Sequence, residues 1–226
     1  NIFDKMTKET KPDAIVAAFD LKEPTFRHKE YPDYKANRHK TPEDLLVQFP
    51  YAKEMLTYLG CTILEVPGYE ADDILGTLAR ISVESGNECV IATGDRDSLQ
   101  LIDELVTVRL ATNKEAVVYD VTKIKEDYGV SPEEMVEVKA LMGDSSDNIP
   151  GVKEIGKKSA LALISKYHTI DNIFSQIDKL ETTTRIRNLL KAENAKELAN
   201  LSRRLGLINK YVPIDEDLNT YKRKHV

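Results

Sequence analysis

The sequence predicts an α/β fold, with a mainly parallel central sheet flanked by helices and a helical C-terminal region. Three observations carry this. Short apolar, β-branched runs alternate with helix-length segments over residues 14–93. Gly60 and Gly86 each close a helix-like stretch just before the next apolar run. After Val121 the pattern turns helical and stays so to about Leu207.

Residues 2–9 read as a helix, and "AIVAAF" (14–19) as a buried strand. Segment 22–40 is polar, basic and aromatic with two prolines, so it reads as a loop or an irregular helical arch. Thr41-Pro42-Glu43 supplies a capping hydroxyl, a first-turn proline and an early acid for a helix to Leu59, stopped by Gly60. "CTILEV" (61–66) is the second strand, Glu70 to Ser85 the next helix, and "ECVIAT" (88–93) the third strand. "LVTVRL" and "AVVYD" add a fourth strand and a hairpin. "SPEEMVEVKALMG" opens with a serine cap and a proline and ends at Gly143; "GVKEIGKKSALALISKY" and further helices follow. The organisation expected is an α/β core over 1–120 with an arch at 22–40, a helical region over 121–215 with a turn-and-helix unit at 151–166, and a linker or cut end at 216–226.

The 226 residues are 41% hydrophobic and 31% charged, a soluble globular composition. No run approaches the ~20 apolar residues of a membrane helix, and "NIFDKMTKETKPD" lacks the apolar core of a signal peptide. Cys61 and Cys89 lie in apolar runs and read as buried thiols of a reducing, cytoplasmic compartment. The net charge of −6 argues on its face against a nucleic-acid partner. Its distribution argues otherwise. Segment 22–40 holds six Lys and Arg against three acids. Setting aside the eight acids discussed next leaves 32 basic residues against 30 acidic ones.

Asp20 follows the first strand; Glu70, Asp72 and Asp73 follow the second; Asp95 and Asp97 follow the third; Asp144 and Asp147 follow a helix. In open α/β sheets the carboxyl ends of the strands meet at one crevice. Any single acid among these is most simply a solvated charge or a helix cap. As a set, they would disfavour one another's ionisation unless cations neutralise them. Oxygen donors without a Cys or His cluster suit Mg²⁺ or Mn²⁺ rather than Zn²⁺. A pocket so acidic fits two ions ~4 Å apart, one activating water and one stabilising a leaving oxygen, as in phosphodiester hydrolysis.

Two basic stretches flank these acids. "TFRHKEYPDYKANR" interleaves Arg27, Lys29, Lys35 and Arg38 with Phe26, Tyr31 and Tyr34. Such a mixture is either a solvated loop or an arm that holds phosphates and stacks on unpaired bases. Its start directly after Asp20 hangs it over the acids, where a Lys or Arg can balance transition-state charge. "GVKEIGKKSA" (151–160) is a glycine turn leading into a Lys-rich helix, an arrangement that attracts phosphate. It lacks the preceding strand of a triphosphate-binding P-loop.

Together, "FDLKEPTFRHKEYPDYKANR", "VPGYEADD", "ATGDRDSLQ" and "MGDSSDNIPGVKEIGKKSA" resemble, in order and over almost the whole chain, the 5′-nuclease domain of bacterial DNA polymerase I, a member of the flap endonuclease family. The resemblance implies a helical arch, a C-terminal helix–hairpin–helix-type DNA-binding region, and a structure-specific 5′-nuclease acting on 5′ flaps and ends in primer removal and repair. It implies that Asp20, Glu70, Asp72, Asp73, Asp95, Asp97, Asp144 and Asp147 hold two Mg²⁺ or Mn²⁺ ions. Lys35 and Arg38 match the arch pair near the scissile phosphate, and Tyr34 the tyrosine that stacks on a displaced base. Gly151, Lys153, Gly156, Lys157 and Lys158 match the turn that grips downstream duplex, with a K⁺ at 151–156. Branched DNA is the implied partner, with a polymerase domain continuous with a monomeric chain and no membrane.

The family pattern also begins with a strand ending in an "I-D-G-N/S" motif whose Asp binds metal, and residues 1–226 contain no match to it. On that count the competing expectation is a catalytically impaired module that binds branched DNA. A small-molecule phosphatase is a third reading, and the long basic arch argues against it.

Overall fold

The computed structural model describes residues 2–112 and 116–223. Residues 113–115, within the expected hairpin, and 224–226, at the end of the expected linker, lie outside the described residues. The elements run α1 (Ile2–Thr10), β1 (Val16–Ala18), α2 (Phe26–Glu30), α3 (Glu43–Leu46), α4 (Gln48–Tyr58), β2 (Thr62–Leu64), α5 (Ala71–Glu84), β3 (Cys89–Thr93), β4 (Val106–Leu110) and β5 (Val117–Tyr119). Then come α6 (Val121–Tyr128), α7 (Met135–Met142), α8 (Lys157–Tyr167), α9 (Ile170–Ser175), α10 (Thr184–Leu190) and α11 (Ala195–Gly206).

The α/β class stands, and so does the parallel pairing. β1 lies parallel to β2 with Val16 opposite Thr62, and β3 parallel to β4 with Cys89 opposite Val106. β5 closes on β4 in antiparallel fashion. Among the described residues the ladder bonds form two sheets, β1–β2 and β3–β4–β5. Helix α5 joins them by packing. Its Ile74 and Leu78 bury against Val16 and Leu64, while Ala79 sits in a second cluster with Ile91 and Val108.

The helix expected from Thr41 to Leu59 is broken at Val47 into α3 and α4. Pro50, in the first turn of α4, has no N–H for the Leu46 carbonyl, and its ring crowds that oxygen. The cap falls on Pro42 rather than Thr41. Within segment 22–40, α2 and the turns after it bury Arg27 and Tyr34, while residues 36–40 are exposed.

The larger core runs across the expected boundary at residue 120. Leu99 and Val108 share it with Val138, Leu141, Leu163 and Ala199. After α11 the chain returns along α5, where the Val212 amide donates to Thr77 Oγ1 at 3.0 Å. The stretch expected as a linker is packed as far as Arg223. Tyr221 is buried, and the Arg223 amide donates to the Asp13 carbonyl at 2.9 Å.

Candidate metal centre and nucleic-acid interface

The acids arrive from separate elements, as the strand-end argument requires. Asp20, just past β1, accepts a 2.7 Å hydrogen bond from the Ala71 amide at the start of α5. Glu70 is the N-cap of α5, with Asp72 and Asp73 in its first turn, where a helix N-terminus favours negative charge. Asp95 caps the 3₁₀ turn after β3 by accepting from the Asp97 amide at 2.9 Å. Glu70, Asp72, Asp95, Asp97 and Asp147 line one cavity. Carboxylate oxygens of Asp97, Asp144 and Asp147 lie within 4.8 Å of one another.

The loop presenting Asp144 and Asp147 is closed by its backbone. The Asp144 amide donates to the Ile149 carbonyl at 2.9 Å, and the Ile149 amide returns the bond at 2.8 Å. Gly151, at φ +61°, lies so close to the end of α7 that a Cβ there would stand 2.3 Å from the Gly143 nitrogen. Only a residue without a side chain fits.

The electrostatics divide the acids into two kinds. Burial, followed by Asp95, Asp97, Asp20 and Glu70, pushes the Asp72 carboxyl up to about 7. Burial also raises Asp97, although Lys139 pulls it back. Asp73 is the opposite case, with no exposed surface. Its two oxygens accept from Arg27 Nη1 and Nη2 at 2.8 Å each, from the Asn209 amide at 2.8 Å and from the Glu70 amide at 3.0 Å. Those bonds leave Asp73 no free direction for a metal, which corrects its expected role.

Two expectations for the basic arm are likewise corrected. Arg27 is 3% exposed and uses all five N–H donors: on Asp73, on Glu70 and on the Leu205 and Leu207 carbonyls. It ties α2 to α5 and to the end of α11 and offers nothing to a phosphate. Tyr34 is 4% exposed, with its hydroxyl donating to Glu70 at 3.1 Å, so its ring has no face for a base. Its hydroxyl is raised by burial and then by the Glu70 charge.

Lys35 and Arg38 do reach the acids. Lys35 Nζ lies 2.6 Å from Glu70 Oε1, its amide donates to the Asp147 carbonyl at 2.9 Å, and Arg38 pairs with the Asp147 carboxylate. At the turn, Lys153, Lys157 and Lys158 are exposed, and the Gly156 position faces open space.

Lys139 escaped the sequence reading. This buried ammonium pairs with Asp97 and, at 2.8 Å, with Asp144. The available signal was a lone Lys among Val136, Val138, Ala140 and Leu141, five residues before Asp144.

Family models decide the kinship. Residues 1–129 match "5′-3′ exonuclease, N-terminal resolvase-like domain", and residues 130–226 match "5′-3′ exonuclease, C-terminal SAM fold". The chain belongs to the 5′–3′ exonuclease family. A relative, the DNA polymerase I of Caldicellulosiruptor bescii, is 42% identical over 227 residues, covering 97% of this chain and 26% of its own length. The chain thus spans about a quarter of such polymerases. Among solved structures, T5 5′-exonuclease with bound zinc shares the fold at TM-score 0.77 and 24% identity, over 93% of this chain and 80% of its own. The T5 flap endonuclease in a pseudo-enzyme–product complex with DNA and metal ions matches at TM-score 0.75 and 24% identity, over 92% of this chain and 78% of its own. The fold of this exonuclease-family chain is therefore theirs. No helix among its described residues is long and apolar enough to cross a membrane.

Proposed function

We propose that the chain is a structure-specific 5′-nuclease that hydrolyses phosphodiesters at 5′ flaps and 5′ ends of duplex DNA. It would serve primer removal and repair as a monomeric part of a polymerase I-type protein in the cytoplasm. The observation that carries this reading is the convergence of Asp20, Glu70, Asp72, Asp95, Asp97, Asp144 and Asp147 on one place, with the Asp72 carboxyl pushed up to about 7 by burial and by its neighbours' charge.

The donor set fits a hard divalent cation: it is all oxygen, it is crowded, and no His or Cys ligand is among it. Asp20, Glu70, Asp72 and Asp95 would hold one Mg²⁺ or Mn²⁺, and Asp97, Asp144 and Asp147 a second. Bound ions of this kind supply an activated water and stabilise the leaving oxygen. The chain's own groups do the rest. Lys35 and Arg38 rest on Glu70 and Asp147, within side-chain reach of a phosphate brought to those acids. Once there they neutralise its developing charge. Lys153, Lys157 and Lys158 grip the duplex backbone around the Gly151–Gly156 turn, where helix α8 presents its N-terminus.

The test is cleavage of a labelled 5′-flap duplex. Mg²⁺ should support cutting and EDTA should stop it. Asp72→Asn should lower the rate at least ~100-fold while flap affinity stays within about threefold. Normal turnover by that variant, or cleavage in chelator, overturns the reading.

A further inference from the structure

The proposed metal centre already contains a buried positive charge of the chain's own. Lys139 leaves α7 with 5% of its surface exposed and ends between Asp97 and Asp144, bonding both. Those are two of the three acids whose oxygens gather within 4.8 Å. Its stem is packed on one side. It lies against Gly206 at the end of α11, where even a methyl group would sit 2.9 Å from Lys139 Cδ. Gly206 is held in turn by Gln100, whose Nε2 donates to the Gly206 carbonyl at 3.0 Å. Lys35 and Arg38 differ in kind, because Arg38 is half exposed and both approach from the surface arm.

From this confinement we propose that Lys139 is a fixed counter-charge that weakens the ion held by Asp97, Asp144 and Asp147. The proposal rests on the metal-dependent reading above. A divalent cation entering this group meets acids already shared with an ammonium, and like charges at such separations repel strongly in a partly buried site. The ion is then held loosely until a substrate phosphate adds negative charge of its own. Lys139 is a positioning residue that touches carboxylates and no reacting atom.

The experiment is Mn²⁺ binding to the DNA-free chain, followed by calorimetry and by the electron paramagnetic resonance signal of free Mn²⁺. The wild-type chain should show a tighter and a weaker ion. Lys139→Met removes the charge and keeps the stem; Lys139→Gln keeps a hydrogen-bond donor as well. Both should tighten the weaker ion at least tenfold. A merely structural lysine would loosen it, because the acids would drift apart without it. Unchanged or weaker Mn²⁺ binding in two folded variants overturns the role of Lys139 and leaves the nuclease reading intact. A wild-type chain that binds no Mn²⁺ at millimolar concentration overturns the metal centre itself.

Discussion

Asp72 and Asp73 are adjacent in sequence and opposite in circumstance. Asp72 has a folded carboxyl raised to about 7 from an ordinary 3.8. A raised value means that the fold favours the protonated form. In the metal-free chain that contribution is fully present below about pH 3.8 and is lost as pH rises to about 7. Asp73 is instead the partner of a buried guanidinium. Removing it strands the Arg27 charge, at about 3–5 kcal/mol. Denaturant unfolding of the metal-free chain at pH 8 should therefore show Asp72→Asn more stable than wild type and Asp73→Asn several kcal/mol less stable. Equal effects from both would refute this division. The acids were legible because strand ends converge in any such sheet. Which acid stays open to a cation and which one braces was not, because the answer lies in Leu205, Leu207 and Asn209, more than 130 positions away. The same distance hid the burial of Arg27 and Tyr34, whose composition resembled that of an exposed arm.

At the scale of elements, strand positions, helix stops and the turn at 151–156 could be read from apolar runs and glycines, whereas the division of the ladders into two sheets could not. The break in the helix before β2 was equally legible in principle: Pro50 sat inside a helix whose interior it could not join. The loop from Gly143 to Gly151 gives the sharpest element-level expectation. Gly151 combines a left-handed backbone with a neighbour 2.3 Å from any Cβ, whereas Gly156 has ordinary dihedrals and open space. Gly151→Ala should cost at least about 2 kcal/mol and disturb the placing of Asp144 and Asp147. Gly156→Ala should stay within about 0.5 kcal/mol. Thermal unfolding of the two variants checks both. A Gly151→Ala chain as stable as wild type would show that the close backbone approach is not needed. The sequence pointed to both glycines for phosphate contact, and only the structure separates a packing glycine from an open one.

For the whole molecule, the two family segments meet within one core. Arg27 is completed by carbonyls from the far end of the chain, and Thr77 by the Val212 amide. Residues 1–129 expressed alone would lose those partners and the cover that Val138 and Leu141 give to Leu99. Such a fragment should show no cooperative melting by circular dichroism, in contrast to the full 226 residues. A fragment that melts sharply near the temperature of the full chain would refute the shared core. Composition changes near Val121 suggested where the chain turns helical. They could not show that the helical half would reach back to finish the first.

The side chains of Lys35, Arg38 and Lys139 resting on Glu70, Asp147, Asp97 and Asp144 have a last consequence. A pocket whose acids rest on tethered ammonium and guanidinium groups keeps part of its negative charge neutralised when no metal is bound. On the proposed reading, loading would displace Lys35 and Arg38 of the surface arm while Lys139 keeps its place, a local rearrangement of side chains rather than an act of folding.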